Sequence, residues 1–320
     1  MKIRRILVLR GGAIGDFILT VPALQTLRNH WQECTLDLIC REHISELAKV
    51  TGIAERTISL DSAEIAQLYS PSFDVNSQIA DYIKSFDMIL CYLYDPDKVL
   101  QNNLTRIITH PEKRIIFHSP VGIKCHAIEH FMEALKTLKI PVQKGVIPYL
   151  KLPVSVMEKS RNKLQQSDKN IITIHPGSGS MKKNWKIENF VELANFISSR
   201  NITPVFILGE AEEKLSTETR QLLQQFKVAE KCSLVETAGI IAISKGYIGN
   251  DSGITHLASA LGVPTIALFG PTDTDIWGPR GRNVTIIKSP DGKMSSISVN
   301  TVLEHVRRKI IDPKNPDCKI

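Results

Sequence analysis

The stretch 247–273, YIGNDSGITHLASALGVPTIALFGPTD, decides the fold. It opens on an apolar run, turns through Gly249-Asn250-Asp251-Ser252-Gly253, and then carries helical spacing over 254–261. Gly262-Val263-Pro264 closes that helix, and 265–269 is an apolar run of the kind a strand buried on both faces requires, ending in a Gly270-Pro271 turn. Strand, glycine-rich turn, short helix and strand make a βαβ unit, whose turn falls where open parallel sheets bind ligands. A helix N-terminus at that place offers unpaired N–H groups and a positive dipole end to an anion such as phosphate. Asp251 and Ser252 are also ordinary N-cap residues. Capping alone, however, accounts for neither His256 in the first turn nor the second polar turn at 270–273.

The rest of the second half repeats the alternation. A strand over 170–174 runs into HPGSGSMKKNW at 175–185, and a helix over 187–199 follows with Phe190, Val191, Leu193, Ala194 and Ile197 on one face. Then come a strand at 204–208, a Gly209 turn, a helix through Leu222, a helix at 235–244, a last strand at 284–287 and an amphipathic helix at 299–310. The first half starts with a strand at 5–10, the loop Gly11-Gly12-Ala13-Ile14-Gly15-Asp16, and a helix carrying Ile18, Leu19, Ala23, Leu24 and Leu27. Pro22 either kinks that helix or starts its main segment. Strands at 35–40, 56–60, 87–92 and 114–117 and a helix at 126–138 complete it. The pattern is α/β, with two doubly wound domains. Three prolines in 141–153 mark the connection, which gives domains at 1–153 and 154–320.

At 320 residues the chain is long for one core and comfortable for two. No apolar run reaches the roughly 18 residues of a membrane span, and the first apolar run is too short for a signal peptide. Six cysteines stand without a CxxC pair, so neither a disulfide framework nor a zinc site is indicated, and a reduced, cytoplasmic protein is expected. A formal charge of +7 favours anionic partners. No dense basic run or aromatic-interleaved strand points to nucleic acid.

Four loops could carry chemistry. In 11–16 a dinucleotide fingerprint would need glycine where Arg10 stands, so nicotinamide binding is excluded. The glycines still permit close backbone approach, and Asp16 is either a helix-terminal carboxylate or a general base for a hydroxyl. In 175–185, Ser178, Gly179 and Ser180 offer N–H and hydroxyl donors beside Lys182 and Lys183, a set suited to charge growing on a departing diphosphate. In the third loop, Gly209-Glu210-Ala211-Glu212-Glu213, a glutamate at a helix start complements the dipole or accepts from ribose hydroxyls. In the fourth, Ser252, Gly253 and Ile254 present N–H groups to phosphate, His256 can donate, and like-charge repulsion turns Asp251 toward sugar hydroxyls. Asp95 lies in a turn after a strand; His126 and His130, spaced i, i+4, form a solvated helix face or acceptor contacts. Ala127 stands where a zinc-protease motif needs glutamate, and nothing argues for a bound metal.

Lined up, these loops resemble the bacterial heptosyltransferases of glycosyltransferase family 9. The resembling residues are Gly15-Asp16, Thr20 and Pro22-Ala23-Leu24; Lys183-Asn184-Trp185; Gly249-Asn250-Asp251-Ser252-Gly253 with His256-Leu257-Ala258; and Ala260-Leu261-Gly262, Pro264 and Phe269-Gly270-Pro271-Thr272. The chain departs from the family in carrying Lys186 where proline often follows the tryptophan, and in the His175-Pro176-Gly177-Ser178-Gly179 variant of that loop. The resemblance implies a GT-B fold, two Rossmann-like domains facing across a cleft, with the last helix packing back on the first. It implies metal-independent, inverting transfer of a sugar from a nucleotide diphosphate, typically ADP-heptose as co-substrate, to a lipopolysaccharide core or lipid-linked saccharide at the inner face of the cytoplasmic membrane, without a cofactor. By matching position Asp16 is the base and Lys183 steadies the diphosphate. Glu213 meets the nucleoside, its register open against Glu210 and Glu212. Asp251, Ser252, Gly253 and His256 hold the donor with the 178–180 loop, and Gly12, Gly15, Asp95 and His126 fall on the acceptor side. Two other readings fit the loops: another nucleotide-sugar enzyme of this fold, such as an epimerase, and a non-catalytic sugar-nucleotide-binding module.

Overall fold

The computed structural model describes residues 3–165, 170–209 and 217–313. The chain divides into two compact units between Pro148 and Tyr149, inside the proline-punctuated stretch. Glu210, Glu212 and Glu213 lie outside the described residues.

In the first unit the strands β1 (Arg5–Leu9), β2 (Thr35–Cys40), β3 (Arg56–Ser59), β4 (Met88–Cys91) and β5 (Arg114–Phe117) form one parallel sheet in the order β3-β2-β1-β4-β5. The chain winds one way from β1 to β3 and the other way from β4, so the switch point falls between β1 and β4. The helix Ile14–His30 follows β1 and runs through Pro22 without ending, so the proline neither breaks it nor starts it. It is buried on nearly every side from Phe17 to Leu24, as fits a helix packed into the middle of a unit.

In the second unit β6 (Ile171–His175), β7 (Thr203–Leu208), β8 (Lys227–Glu230), β9 (Gly246–Asn250), β10 (Thr265–Phe269) and β11 (Val284–Lys288) form a parallel sheet in the order β11-β10-β9-β6-β7-β8. Its switch point lies between β6 and β9, which pair in register with His175 opposite Gly249. The loops after these two strands therefore start side by side. The strand β8 was not expected: it is an edge strand with one buried residue, so it lacks the apolar run that marks the inner strands.

The last described helix, Val299–Val306, with its π-helical continuation Arg307–Ile311, buries Val302, Val306 and Ile310 in the core of the second unit. The sequence reading sends this helix back to the first domain; its apolar stripe is used within the second. No described helix is long and apolar enough to cross a membrane. The five described cysteines are free thiols, and burial pushes Cys40 up to about 11.

Candidate active site

The second-unit loops meet at Asn250. This side chain is fully buried; its carbonyl accepts the Trp185 N–H at 3.1 Å and its amide donates to the Pro176 carbonyl at 2.6 Å. One residue at the end of β9 thus pins both ends of the 176–185 loop. Trp185 closes the other side: its indole N–H donates to the Ile297 carbonyl at 2.9 Å and its ring meets Phe190 edge-on. In the sequence Asn250 stands in a glycine-rich turn, within the motif that carries the family resemblance, with no role of its own. A long buried polar side chain at a strand end has to find several partners, and that requirement was the available signal.

This pinning places Lys183 on Asp251. Lys183 Nζ lies 2.8 Å from Asp251 Oδ2 as an ion pair rather than a directed hydrogen bond, with the lysine one-third exposed and the carboxylate nearly buried. The expectation turned Asp251 away from phosphate because of its charge. In the structure Lys183 supplies the counter-ion. Lys182 and Met181 are exposed, so of the two lysines Lys183 is the one built into the site.

Ser252 stands at the N-cap of the helix Gly253–Ala260, but its hydroxyl makes no capping bond. It turns instead to Thr255 Oγ1 at 3.3 Å and His175 Nδ1 at 3.4 Å. Thr255 donates to the Asn250 carbonyl and lies 3.0 Å from the Tyr247 hydroxyl. A helix start whose N-cap side chain is turned aside keeps its first-turn N–H groups for an anion. His256 lies buried in that first turn. In the neighbouring loop Ser178 is buried and its hydroxyl serves the Ser180 carbonyl and Asn184 Oδ1, while Gly179 is exposed and Ser180 half-buried. The Ser178 hydroxyl shapes the loop. Asp273, in the second turn, caps the short helix Thr274–Trp277.

His175 lies buried beneath this site, and burial pushes its pKa down from 6.5 to about 4. It is therefore neutral in the folded protein down to about pH 4, while the unfolded chain takes a proton below pH 6.5. Stability present above pH 6.5 should be lost as pH falls from 6.5 to 4, by about 3 kcal/mol from this residue. Urea titrations of the parent and His175→Gln at pH 7 and pH 4.5 check this: the parent should lose more stability than the variant over that range, and equal losses would refute the assignment.

In the first unit Asp16 sits in the first turn of the Ile14–His30 helix with a one-third exposed side chain. Its Oδ2 accepts the Ala13 N–H at 2.8 Å and its Oδ1 accepts Arg10 Nη2 at 3.2 Å. Gly12 has φ +85°, and a Cβ there would fall 2.5 Å from Asp16 Oδ2, so this glycine provides the notch the carboxylate occupies. Arg10, which stands where a dinucleotide fingerprint needs glycine, is 2% exposed. A buried charge at the end of an apolar strand demands a counter-ion, and Asp16 is the carboxylate that meets it.

Two of the residues expected on the acceptor side, Asp95 and His126, are employed in helix ends. Asp95 accepts the Leu100 and Gln101 N–H groups at the start of the helix Val99–Ile107. His126 is not on a solvated helix face. It is 6% exposed, and its Nδ1 accepts the Ile128 N–H as N-cap of the helix Ala127–Glu133. His130 contacts the Ser119 carbonyl at 2.7 Å and stacks at a tilt on His118. Among the described residues no group of three or more His, Cys, Asp or Glu is placed to hold a metal ion.

Two parallel α/β units, each with its candidate loops at the switch point, are the architecture of known glycosyltransferases. The crystal structure of a family 9 glycosyl transferase from Veillonella parvula superposes with a TM-score of 0.79 over 98% of each chain at 19% identity. Escherichia coli ADP-heptose lps heptosyltransferase II does so with 0.77 over 97% of this chain and 100% of that one, at 18% identity. These likenesses identify the fold as GT-B. In sequence, lipooligosaccharide heptosyltransferase 2 of Campylobacter jejuni is 37% identical over 276 residues, 81% of this chain and 78% of that protein. The family profile described as glycosyltransferase family 9 (heptosyltransferase) matches residues 115–307, a span that contains Lys183, Asn250 and Asp251. The chain belongs to glycosyltransferase family 9, the heptosyltransferases, and is a glycosyltransferase.

Proposed function

We propose that the chain transfers heptose from ADP-heptose to a saccharide of the lipopolysaccharide core, with inversion at the anomeric carbon and without a metal. Lys183, set on Asp251 beside an uncapped helix start at the switch point, is the observation that carries this reading. In it Asp16 takes the proton of the acceptor hydroxyl while that oxygen attacks the anomeric carbon. The bond to the diphosphate breaks, and ADP leaves with the electron pair. Lys183 and the N–H groups of Gly253 and Ile254 meet the charge growing on the departing phosphates. As Lys183 turns to the diphosphate, Asp251 accepts from the sugar hydroxyls. Ser178, Gly179 and Ser180 line the same donor loop, Ser252 and His256 flank the phosphates, and Glu213 meets the nucleoside. Gly12 and Gly15 let the acceptor approach the Asp16 loop. The net positive charge of +7 supports peripheral work at the inner face of the cytoplasmic membrane, where acceptor and lipid are both anionic.

ADP release from ADP-heptose, measured with and without a heptose-free core acceptor, tests the reading. Release that depends on acceptor is expected. Acceptor-independent conversion of the donor, as an epimerase would give, or binding without turnover, would refute it. Of ADP-, UDP-, GDP- and TDP-sugars, the true donor at about 100 times its dissociation constant should stabilise the fold by about 2.7 kcal/mol.

A further inference from the structure

Arg10 lies beyond the end of β1, with its backbone N–H still donating to the Ile39 carbonyl, and is almost wholly withdrawn from solvent. Two of its guanidinium nitrogens and one face of its plane are engaged. Nε donates to Thr20 Oγ1 at 2.8 Å; Nη2 donates to the Asp16 carbonyl at 3.1 Å and to Asp16 Oδ1 at 3.2 Å. The plane lies over the Phe131 ring, 4.5 Å from its centroid, and the Phe131 carbonyl is in turn held by the Tyr92 hydroxyl at 2.7 Å. Thr20 closes the ring by donating its own hydroxyl to the Asp16 carbonyl at 2.8 Å.

Burying a guanidinium this deeply is unfavourable, and burial lowers the Arg10 pKa against the pull of Asp16. A lysine would reach one of these partners as a point charge; the planar fork reaches Thr20 and Asp16 at fixed angles. The consequence falls on Asp16. Its Oδ2 is held by the Ala13 N–H over the Gly12 notch and its Oδ1 by Arg10, yet a third of the side chain faces solvent. Both oxygens are held, while part of the side chain stays open to solvent.

We propose that Arg10 is a positioning residue for transfer, locking the partly exposed Asp16 carboxylate in the single rotamer that presents it to the acceptor hydroxyl. This rests on the reading of Asp16 as the base. Arg10 acts through Asp16 and makes no contact with donor. It sets kcat rather than donor affinity, since misplacing a catalytic group by about 1 Å can cost about 100-fold in rate.

The test is a kinetic cycle on the full chain with ADP-heptose and core acceptor, comparing Arg10→Met, Arg10→Lys, Asp16→Asn and the double variant Arg10→Met/Asp16→Asn, each corrected for folded fraction by circular dichroism. We expect Arg10→Met to lower kcat by about 100-fold, with the donor KM nearly unchanged and Arg10→Lys between it and the parent. The double variant should be no slower than Asp16→Asn alone, because the two act as a unit. Parental kcat in folded Arg10→Met, or losses that multiply in the double variant, would overturn the proposal while leaving Asp16 as the base. Full activity in Asp16→Asn would overturn both. If Arg10→Met does not fold, Thr20→Val decides, since it frees Nε but keeps the charge. A kcat loss that disappears in the Asp16→Asn background supports the lock, and parental kcat refutes it.

Discussion

Replacing Asp16 by Asn should reduce turnover by about 10³-fold, within the 10²- to 10⁴-fold range that a positioned general base contributes. Asparagine keeps the size and plane of the carboxylate but cannot take the acceptor proton. Its donor KM should stay close to that of the parent, because the loops proposed to bind the donor belong to the second unit. ADP release at saturating donor and acceptor measures the effect; a loss below about tenfold, under the range of general-base effects, would remove Asp16 from the chemistry.

The choice of Asn over Ala matters. Asp16→Ala leaves Arg10 as a buried cation without its counter-ion, and removing one partner of a buried pair costs about 3–5 kcal/mol. Here about 2–3 kcal/mol is more reasonable, because Asp16 is one-third exposed and solvent screens part of the pair. Loss of activity in Asp16→Ala would therefore mix unfolding with lost chemistry. Asn can still accept from Arg10 through its amide oxygen, although its NH₂ then faces the Ala13 N–H. The unfolding midpoint of Asp16→Asn should accordingly lie between those of Asp16→Ala and the parent.

How far the sequence could be read follows from burial. The strands β1, β2, β4, β6, β9 and β10 are apolar runs covered on both faces, and such runs declare themselves without tertiary knowledge. The strand β8 does not, because an edge position asks for only one buried residue. The candidate loops were legible for the same topological reason: a glycine-rich turn after a buried parallel strand has a known place in the sheet. What was not legible is which polar side chains pair. The spacing from Arg10 to Asp16 and Thr20 crosses a loop and a helix turn, so no periodicity links them. Asn250 meets Pro176 and Trp185 only because β6 and β9 are neighbours, a fact of strand order rather than of local sequence. His126 misled for the opposite reason: its i, i+4 spacing with His130 is real, but the helix begins one residue later and the histidine caps it.

Replacing Lys183 by Met should lower kcat by about 10²- to 10³-fold, the loss typical of removing one group that stabilises developing charge. It should also raise the donor KM, since the same cation meets the ground-state diphosphate. A second effect comes from Asp251. Its carboxylate is 8% exposed and Lys183 is its ion-pair partner, so the variant leaves a nearly buried charge unpaired beside the helix start proposed to meet the donor phosphates. Screening at the one-third exposed lysine holds the stability loss to about 2 kcal/mol rather than the 3–5 kcal/mol of a fully buried pair. The double variant Lys183→Met/Asp251→Asn separates these effects, because it removes the stranded charge without returning the cation. Urea midpoints should recover toward the parent while ADP release stays low. If activity returned together with stability, the role of Lys183 would be to neutralise Asp251, and the departing diphosphate would have to be met by the helix N–H groups alone. If neither returned, Asp251 would be needed in its charged form, as it would be when accepting from two sugar hydroxyls once Lys183 has moved to the phosphates.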